Sequence, residues 1–417
     1  MSFVHAPNVE CALGKHVMVQ NAMRIGFESA VAERVKELGA NGFTSADEMA
    51  EWTGKMLLLS GGKNSIKWTN DGTDGTPLYW PSVVVWRPAH KASYYLEGAG
   101  NDFHPAFKAG ANMYPGYWAG KYAGPYVTSN SKTLLLSLPN FDGKVNALTG
   151  AQVDTSYDTS VTYGTAGGSG SHSITNAEYM EIALDCYNSG FQPKGNNWYG
   201  RDMGDPDTPE YYGVPSYWDA GKIGRVLNGS GPLSWFHDGS PWGVWGMNGN
   251  FNTVTTVFRQ KAGEIQVIAN NDAALSDCDH SDASVSWRAI LQDGNLVEPG
   301  ADGTLKYDAL DAITISTSVT TRTTVSKFHT FGTVAAADGV TIPKIAQLLG
   351  IAPIGTAAQH GGDSIYIRND AEGTYSETVA RRGGAWNYST QAGVFALRLL
   401  YYRSLTGTDV GSRLAFL

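Results

Sequence analysis

Residues 381–416 read RRGGAWNYSTQAGVFALRLLYYRSLTGTDVGSRLAF, and this stretch decides the fold. Gly383 and Gly384 permit a tight backbone turn that a residue with a Cβ resists. Trp386 follows and is large enough to anchor a core. AGVFAL is an apolar, strand-like run. Alternation along a strand turns Leu397 and Leu399 to one face, with Phe395, and Arg398 and Leu400 to the other. Arg403 and Arg413 are candidates for fixed structural hydrogen bonds. Between these elements sit Ala385, Asn387, Tyr388, Arg398, Leu400, Tyr401 and residues 406–409, which mix every chemical type. Tyrosine beside small polar residues is the composition of antibody paratopes, where rigid contact area adjoins adaptable hydrogen bonding. From the residues alone, ordinary loop positions are the alternative reading.

Working back along the chain, SITNAEYMEIALDCYNSGF is the clearest helix. Thr175 and Glu178 fit a capping box, Ala177, Met180, Ala183, Leu184 and Tyr187 form one apolar stripe, and Gly190 ends it. TIPKIAQLLG, with Pro343 in the first turn and Gly350 at the end, predicts a second short helix. PSVVVWRP and TLLLSLP read as strands. Residues 142–172 are polar and rich in Gly, Ser and Thr, the composition of a surface insertion. Residues 1–80 differ. ESAVAERVKELGANG predicts a helix carrying Ala30, Val31, Val35 and Leu38 and stopped by Gly39, and a second helix follows Ser45. GGKNSIKWTNDGTDGTP is turn-rich and reads as a loop. The expected organisation is a small helical N-terminal module over 1–80, serving assembly or particle attachment. A main α+β domain of many short strands, two short helices and long loops follows over 81–417.

Several motifs stand in a fixed order: HPAF (104–107), GYWAGKY (116–122), the capped helix, KGNNWYG (194–200), GSGPLSWFHDG (229–239), GVWGMNGN (243–250), GEIQVIANNDAA (263–274), and the frame RGGxW…AGVFAL…RS…VG.R. The set resembles the variable proteins of diversity-generating retroelements, many carried by phages, over roughly residues 81–417. The resemblance implies a C-type-lectin-like fold of the formylglycine-generating-enzyme branch. It also implies a variable region, 381–417, in which a fixed scaffold (Gly383, Gly384, Trp386, Phe395, Leu397, Arg403, Arg413) carries diversified ligand-binding positions. Carried over residue by residue, these are Ala385, Asn387, Tyr388, Thr390, Gln391, Arg398, Leu400, Tyr401, Leu405, Thr406, Gly407, Thr408 and Asp409. Asn387, Tyr388, Arg398, Leu400, Tyr401 and Thr408 are then expected exposed on one face, with Trp386, Phe395 and Leu397 buried below. Ser412 departs from the Phe common in the family's VGFR ending.

The function this implies is receptor binding. The first reading is a phage tail adhesin for host-cell attachment, with a host-surface protein or glycan and other virion tail proteins as partners, and a homotrimeric state. The second is a cellular ligand-binding variable protein of a bacterial or prophage locus. The third is an enzyme descended from the oxidases of the same fold. That oxidase chemistry needs a C-terminal thiolate pair to hold copper, and no cysteine follows Cys278 among the three, Cys11, Cys186 and Cys278. Catalytic residues and a cofactor are therefore not expected. The calcium-binding GNVWEW motif of some relatives reads GNFNTV here, with Thr253 where a Glu would supply a hard oxygen ligand. DCDHSD (277–282) offers thiol, imidazole and carboxylates, but reads as a polar loop rather than a metal site.

Composition bounds the rest. The 417 residues carry a formal net charge of −9, with 17% charged residues, 12 Trp and 21 Tyr. So many aromatics argue for a folded chain. No Lys/Arg cluster of the kind that binds nucleic acid is present. There is no signal-peptide pattern and no apolar stretch of about 20 residues. The expected location is a virion, after synthesis in a bacterial cytoplasm and without membrane insertion.

Overall fold

The computed structural model describes residues 12–39, 41–71, 75, 77–124, 126–129, 132–143, 171–309, 312–320, 327–403, 405 and 407–417. Most of the expected 142–172 insertion, Cys11 and Thr406 lie outside the described residues. The chain is mixed α and β, mostly strands, with few helices and long loops.

The capped helix forms where its signals stand, over Asn176–Ser189. Thr175 Oγ1 accepts from the Glu178 N–H (3.1 Å), and Glu178 Oε2 accepts from the Thr175 N–H (3.0 Å). Gly190 closes the helix in the left-handed region, at φ 69°. The apolar stripe understates its burial, because Asn176, Glu178 and Glu181 are buried too. A helix enclosed all round must satisfy its polar side chains internally. Glu181 accordingly accepts from Arg87 (2.7 and 2.9 Å), Tyr95 (2.8 Å) and Tyr117 (2.9 Å). The second expected helix is one short stretch, Lys344–Leu348.

Nine strands position the site: β1 Asn64–Asn70, β2 Tyr79–Pro88, β3 Gly116–Ala123, β4 Ser171–Ser173, β5 Asn252–Lys261, β6 Ser364–Ile367, β7 Glu377–Gly383, β8 Gly393–Leu399 and β9 Arg413–Phe416. The first sheet runs β1-β2-β3-β9-β4. The second carries the consecutive order β6-β8-β7-β5, with Lys327–Thr330 beyond β6 and further strands beyond β5. One core joins them. Val85, Tyr117 and Ala415 of the first sheet, Ile365, Leu397 and Leu399 of the second, and Met180, Ala183 and Leu184 of the capped helix belong to the same buried cluster. The C-terminal run thus serves both sheets, β8 entering one and β9 the other.

The first 80 residues depart from expectation in two ways. The stretch read as a loop contains β1, paired residue for residue with β2 from Asn64↔Val85 to Asn70↔Tyr79. Its period-two pattern, with Ile66 and Trp68 against Ser65, Lys67 and Thr69, was hidden under turn-rich composition. The boundary expected at 80 therefore falls inside a sheet. The helix expected from Glu28 is the C-terminal part of a longer α1, Ala12–Leu38, and the second is α2, Ala46–Ser60, capped by Ser45, whose Oγ accepts from the Glu48 N–H (3.2 Å). Val31, Val35 and Met56 pack in a second core with Phe43, Ile66, Trp80, Tyr122, Trp235 and Trp245. Inside that contact Lys121 of β3, fully buried, donates to Glu28 of α1 (2.8 Å), Asn64 Oδ1 (2.9 Å) and the Pro241 carbonyl (2.7 Å).

Candidate ligand-binding surface

The turn before β8 starts at two glycines with positive φ, Gly383 at 87° and Gly384 at 82°. A Cβ on Gly384 would stand 2.7 Å from the Ala392 Cβ, so only glycine lets the ends of this turn close together. β8 is then locked from below. Asp363 Oδ2 accepts from the Phe395 N–H (2.8 Å), and Ser364 Oγ donates to the Gln391 carbonyl (2.7 Å). Arg382 reaches inward to Asn176 Oδ1 (3.0 and 3.1 Å) and to the Leu349 and Gly350 carbonyls (3.2 and 3.1 Å). Arg413 donates to the Gly120, Lys121 and Trp245 carbonyls (2.7–3.0 Å), and Arg403 clasps Glu377 (2.7 and 3.1 Å). Both expected arginines make structural bonds.

Register decides what faces outward. β8 pairs antiparallel with β7 (Arg381↔Arg398, Arg382↔Leu397) and parallel with β6 (Ile365↔Leu397, Tyr366↔Arg398). One face of the sheet therefore carries Ile365, Leu397 and Arg382 into the core, and the other carries Tyr366, Arg398 and Arg381 in a row. Trp386, Phe395 and Leu397 are buried.

On the outer face Asn387, Tyr388, Gln391, Arg398, Leu400 and Tyr401 line one cavity of about 380 Å³, together with Tyr366 and Ser389. Six of the thirteen carried-over positions meet here. Asn387 is exposed, and Tyr388, Gln391, Leu400 and Tyr401 are half-buried. Thr390 and Thr408 are exposed outside the cavity, where Leu405, Gly407 and Asp409 are half-buried. Asp409 still reaches the site: its Oδ2 accepts from Asn252 Nδ2 (2.9 Å) and from the Tyr388 O–H (3.4 Å).

Two positions correct the expectation. Arg398 points to the outer face, as alternation requires, yet is only 3% exposed. Its guanidinium lies between the rings of Tyr366 (4.1 Å to the centroid) and Tyr388 (4.3 Å), which cover it. Ala385 is fully enclosed, because the turn folds over it through the Tyr388 N–H to Ala385 carbonyl bond (3.2 Å). Ser389 and Tyr366 line the cavity outside the carried-over set, and Tyr366 lies beyond 381–417 altogether. Its signal is the alternation Ile365-Tyr366-Ile367, a strand with one aromatic turned away from the core.

Electrostatically the face is unusual for an acidic chain. Arg381 lies against Tyr401 (4.2 Å to the centroid) and donates to the Leu405 carbonyl (2.8 Å). Desolvation pulls the pKa values of Arg381 and Arg398 below the usual arginine range, against the favourable pull of Asp409 and the tyrosines on Arg381 and of the tyrosines on Arg398. A desolvated cation–π contact contributes about 2 kcal/mol, so the rings offset part of the burial cost.

A second concavity, about 260 Å³, is lined by Trp198, Tyr199, Arg201, Asp207, Tyr212, Lys222 and Ile223. The Tyr199 N–H donates to the Trp386 carbonyl (2.7 Å), one residue before the lining residue Asn387 of the first cavity. Among the described residues no group of three or more His, Cys, Asp and Glu is placed to hold a metal ion. Thr253 is buried in β5. No helix among the described residues is long and apolar enough to cross a membrane.

No family model matches the chain, and neither does any curated protein. Solved structures to which it is similar include the Major Tropism Determinant P3c variant, at 10% identity and a TM-score of 0.28, covering 85% of this chain and 72% of that one. The U1 variant stands at 11% identity and a TM-score of 0.27 over 85% and 72%, and the I1 variant at 12% and 0.26 over the same shares.

Proposed function

We propose that this chain is a receptor-binding adhesin of a phage tail, with a C-type-lectin-like domain whose retroelement-diversified residues form the ligand-binding surface. One observation carries the reading: Asn387, Tyr388, Gln391, Arg398, Leu400 and Tyr401, from both sides of a strand whose other face is core, converge on a single cavity. A cavity above buried, hydrogen-bonded frame residues is the arrangement in which surface side chains can be exchanged without disturbing the fold. The adhesin is a homotrimer, it uses no cofactor or catalytic group, and its partners are a host-cell surface receptor and other tail proteins.

The test is attachment. Fluorescently labelled full-length protein is expected to bind some strains of a bacterial panel. Replacing Tyr388, Leu400 and Tyr401 together by Ala should cut that binding at least tenfold, with the melting temperature within a few degrees of the parent. Aromatic interface anchors typically contribute about 2 kcal/mol or more each. Binding that survives the triple change, or no binding to any strain, overturns the proposal.

A further inference from the structure

Arg398 and Arg381 are directly opposite one another on neighbouring strands. Like charges so placed repel, and a buried guanidinium needs its N–H groups bonded. Yet Nε and Nη1 of Arg398, and Nε of Arg381, are buried without a hydrogen-bond partner. The groups facing Arg398 are the tyrosines 388, 366 and 401, while Asp409 faces Arg381. Among the described residues no carboxylate pairs with Arg398. Arg398 thus lines the cavity without an acid partner, opposite a second cation, Arg381, on the neighbouring strand.

We propose that the cavity of this chain takes a carboxylate from its ligand, with Arg398 as the principal counter-charge. This rests on the reading of the cavity as a ligand site. The planar fork of an arginine matches a carboxylate's two oxygens. The volume, about 380 Å³, suits a single acidic sugar or acidic side chain. Asn387 and Gln391, whose side-chain amides can bond the remainder of such a group, line the same cavity. Tyr388 is half-buried at the turn above β8, so its ring is the part that gives way when the carboxylate reaches the guanidinium.

Ligand-observed NMR on the full-length protein at pH 7 tests this with two acids, glucuronate and N-acetylglutamate, against the uncharged glucose and N-acetylglutamine. At least one acid is expected to bind ten times more tightly than its neutral counterpart, and the better acid identifies a sugar or a peptide source. Arg398→Gln should abolish the preference. Arg398→Lys, which keeps the charge and loses the fork, should weaken acid binding at least threefold, and it decides the matter if the Gln variant does not fold. Failure of both acids to bind, equal binding of acid and neutral probes, or an unchanged preference in the folded variants overturns the proposal. The small acids bind or fail whether or not the protein attaches to cells, so this result and that of the attachment test are read separately.

Discussion

Asp363 shows how the frame beneath the site depends on single atoms. A Cβ on residue 393 would fall 1.8 Å from Asp363 Oδ1, so Gly393 lets the carboxyl approach the start of β8. Burial pushes that carboxyl up to about 8, against the downward pull of the Phe395 N–H. An unfolded aspartate titrates near pH ~4. Above that pH the unfolded chain releases this proton while the folded chain keeps it, so the unfolded state binds fewer protons and stability falls as pH rises. The contribution is complete below pH ~4 and is lost as pH climbs through about 8. Asp363→Asn keeps an acceptor for Phe395 and has no proton to lose. Urea unfolding at pH 5, 6.5 and 8 should show the variant gaining steadily on the parent, and a pH-independent difference would contradict the assignment. No sequence pattern announces Asp363, because its burial depends on Phe331, whose N–H donates to the Asp363 carbonyl (2.7 Å), and on a strand beginning 30 residues later. Arg398 is the complementary case. Alternation gave its direction, but its cover comes from Tyr366, on a strand that local reading of 381–417 does not include.

Among the elements, legibility followed local signals. The capping box, the glycine stops and the Leu397/Arg398 alternation all act within a few residues, and each of those elements stands where the residues put it. β1 was hidden because its pairing with β2 outweighs its turn-like composition. The attachment of α1 was equally hidden, since nothing in Glu28 or Lys121 read singly tells that 93 residues of separation close into a 2.8 Å bond. Glu28 also accepts from Arg24 (2.9 Å) and from the Tyr122 O–H. Desolvation opposes its charge, but Lys121 and Arg24 hold its carboxyl below the usual range. Removing one partner of such a buried pair leaves the other charge uncompensated, at a cost of about 3–5 kcal/mol. Glu28→Ala should lower the unfolding free energy in guanidinium by about that much. A change below about 1 kcal/mol, the range of exposed pairs, would mean that water reaches Lys121 and that α1 is only loosely held.

For the whole molecule the consequence concerns assembly. If residues 1–80 were a detachable module, their deletion would leave a folded remainder. Here the deletion would remove β1 and the start of β2 from their sheet, uncover Val83 and Tyr122, and strip Lys121 of Glu28 and Asn64. Loss of the proposed trimer after that truncation would therefore report unfolding, not a lost interface. The informative change lies on the far side of α1, where Val19 and Met23 are 57% and 50% exposed one helical turn apart. A diversified site of the proposed kind is not selected in advance for one ligand and binds weakly by itself. Joining copies makes later contacts intramolecular, with avidity gains of roughly 10²–10⁴, and exposed apolar residues on α1 are suited to that joining because they face away from the core. Light scattering at micromolar concentration should give three times the chain mass for the parent and one chain mass for Val19→Glu with Met23→Glu. The double variant should keep the parent's melting behaviour and its affinity for small acids while losing at least a hundredfold in attachment to cells. A parent that scatters as a monomer would exclude the trimer, and a trimer unmoved by the two glutamates would place the interface elsewhere on the chain.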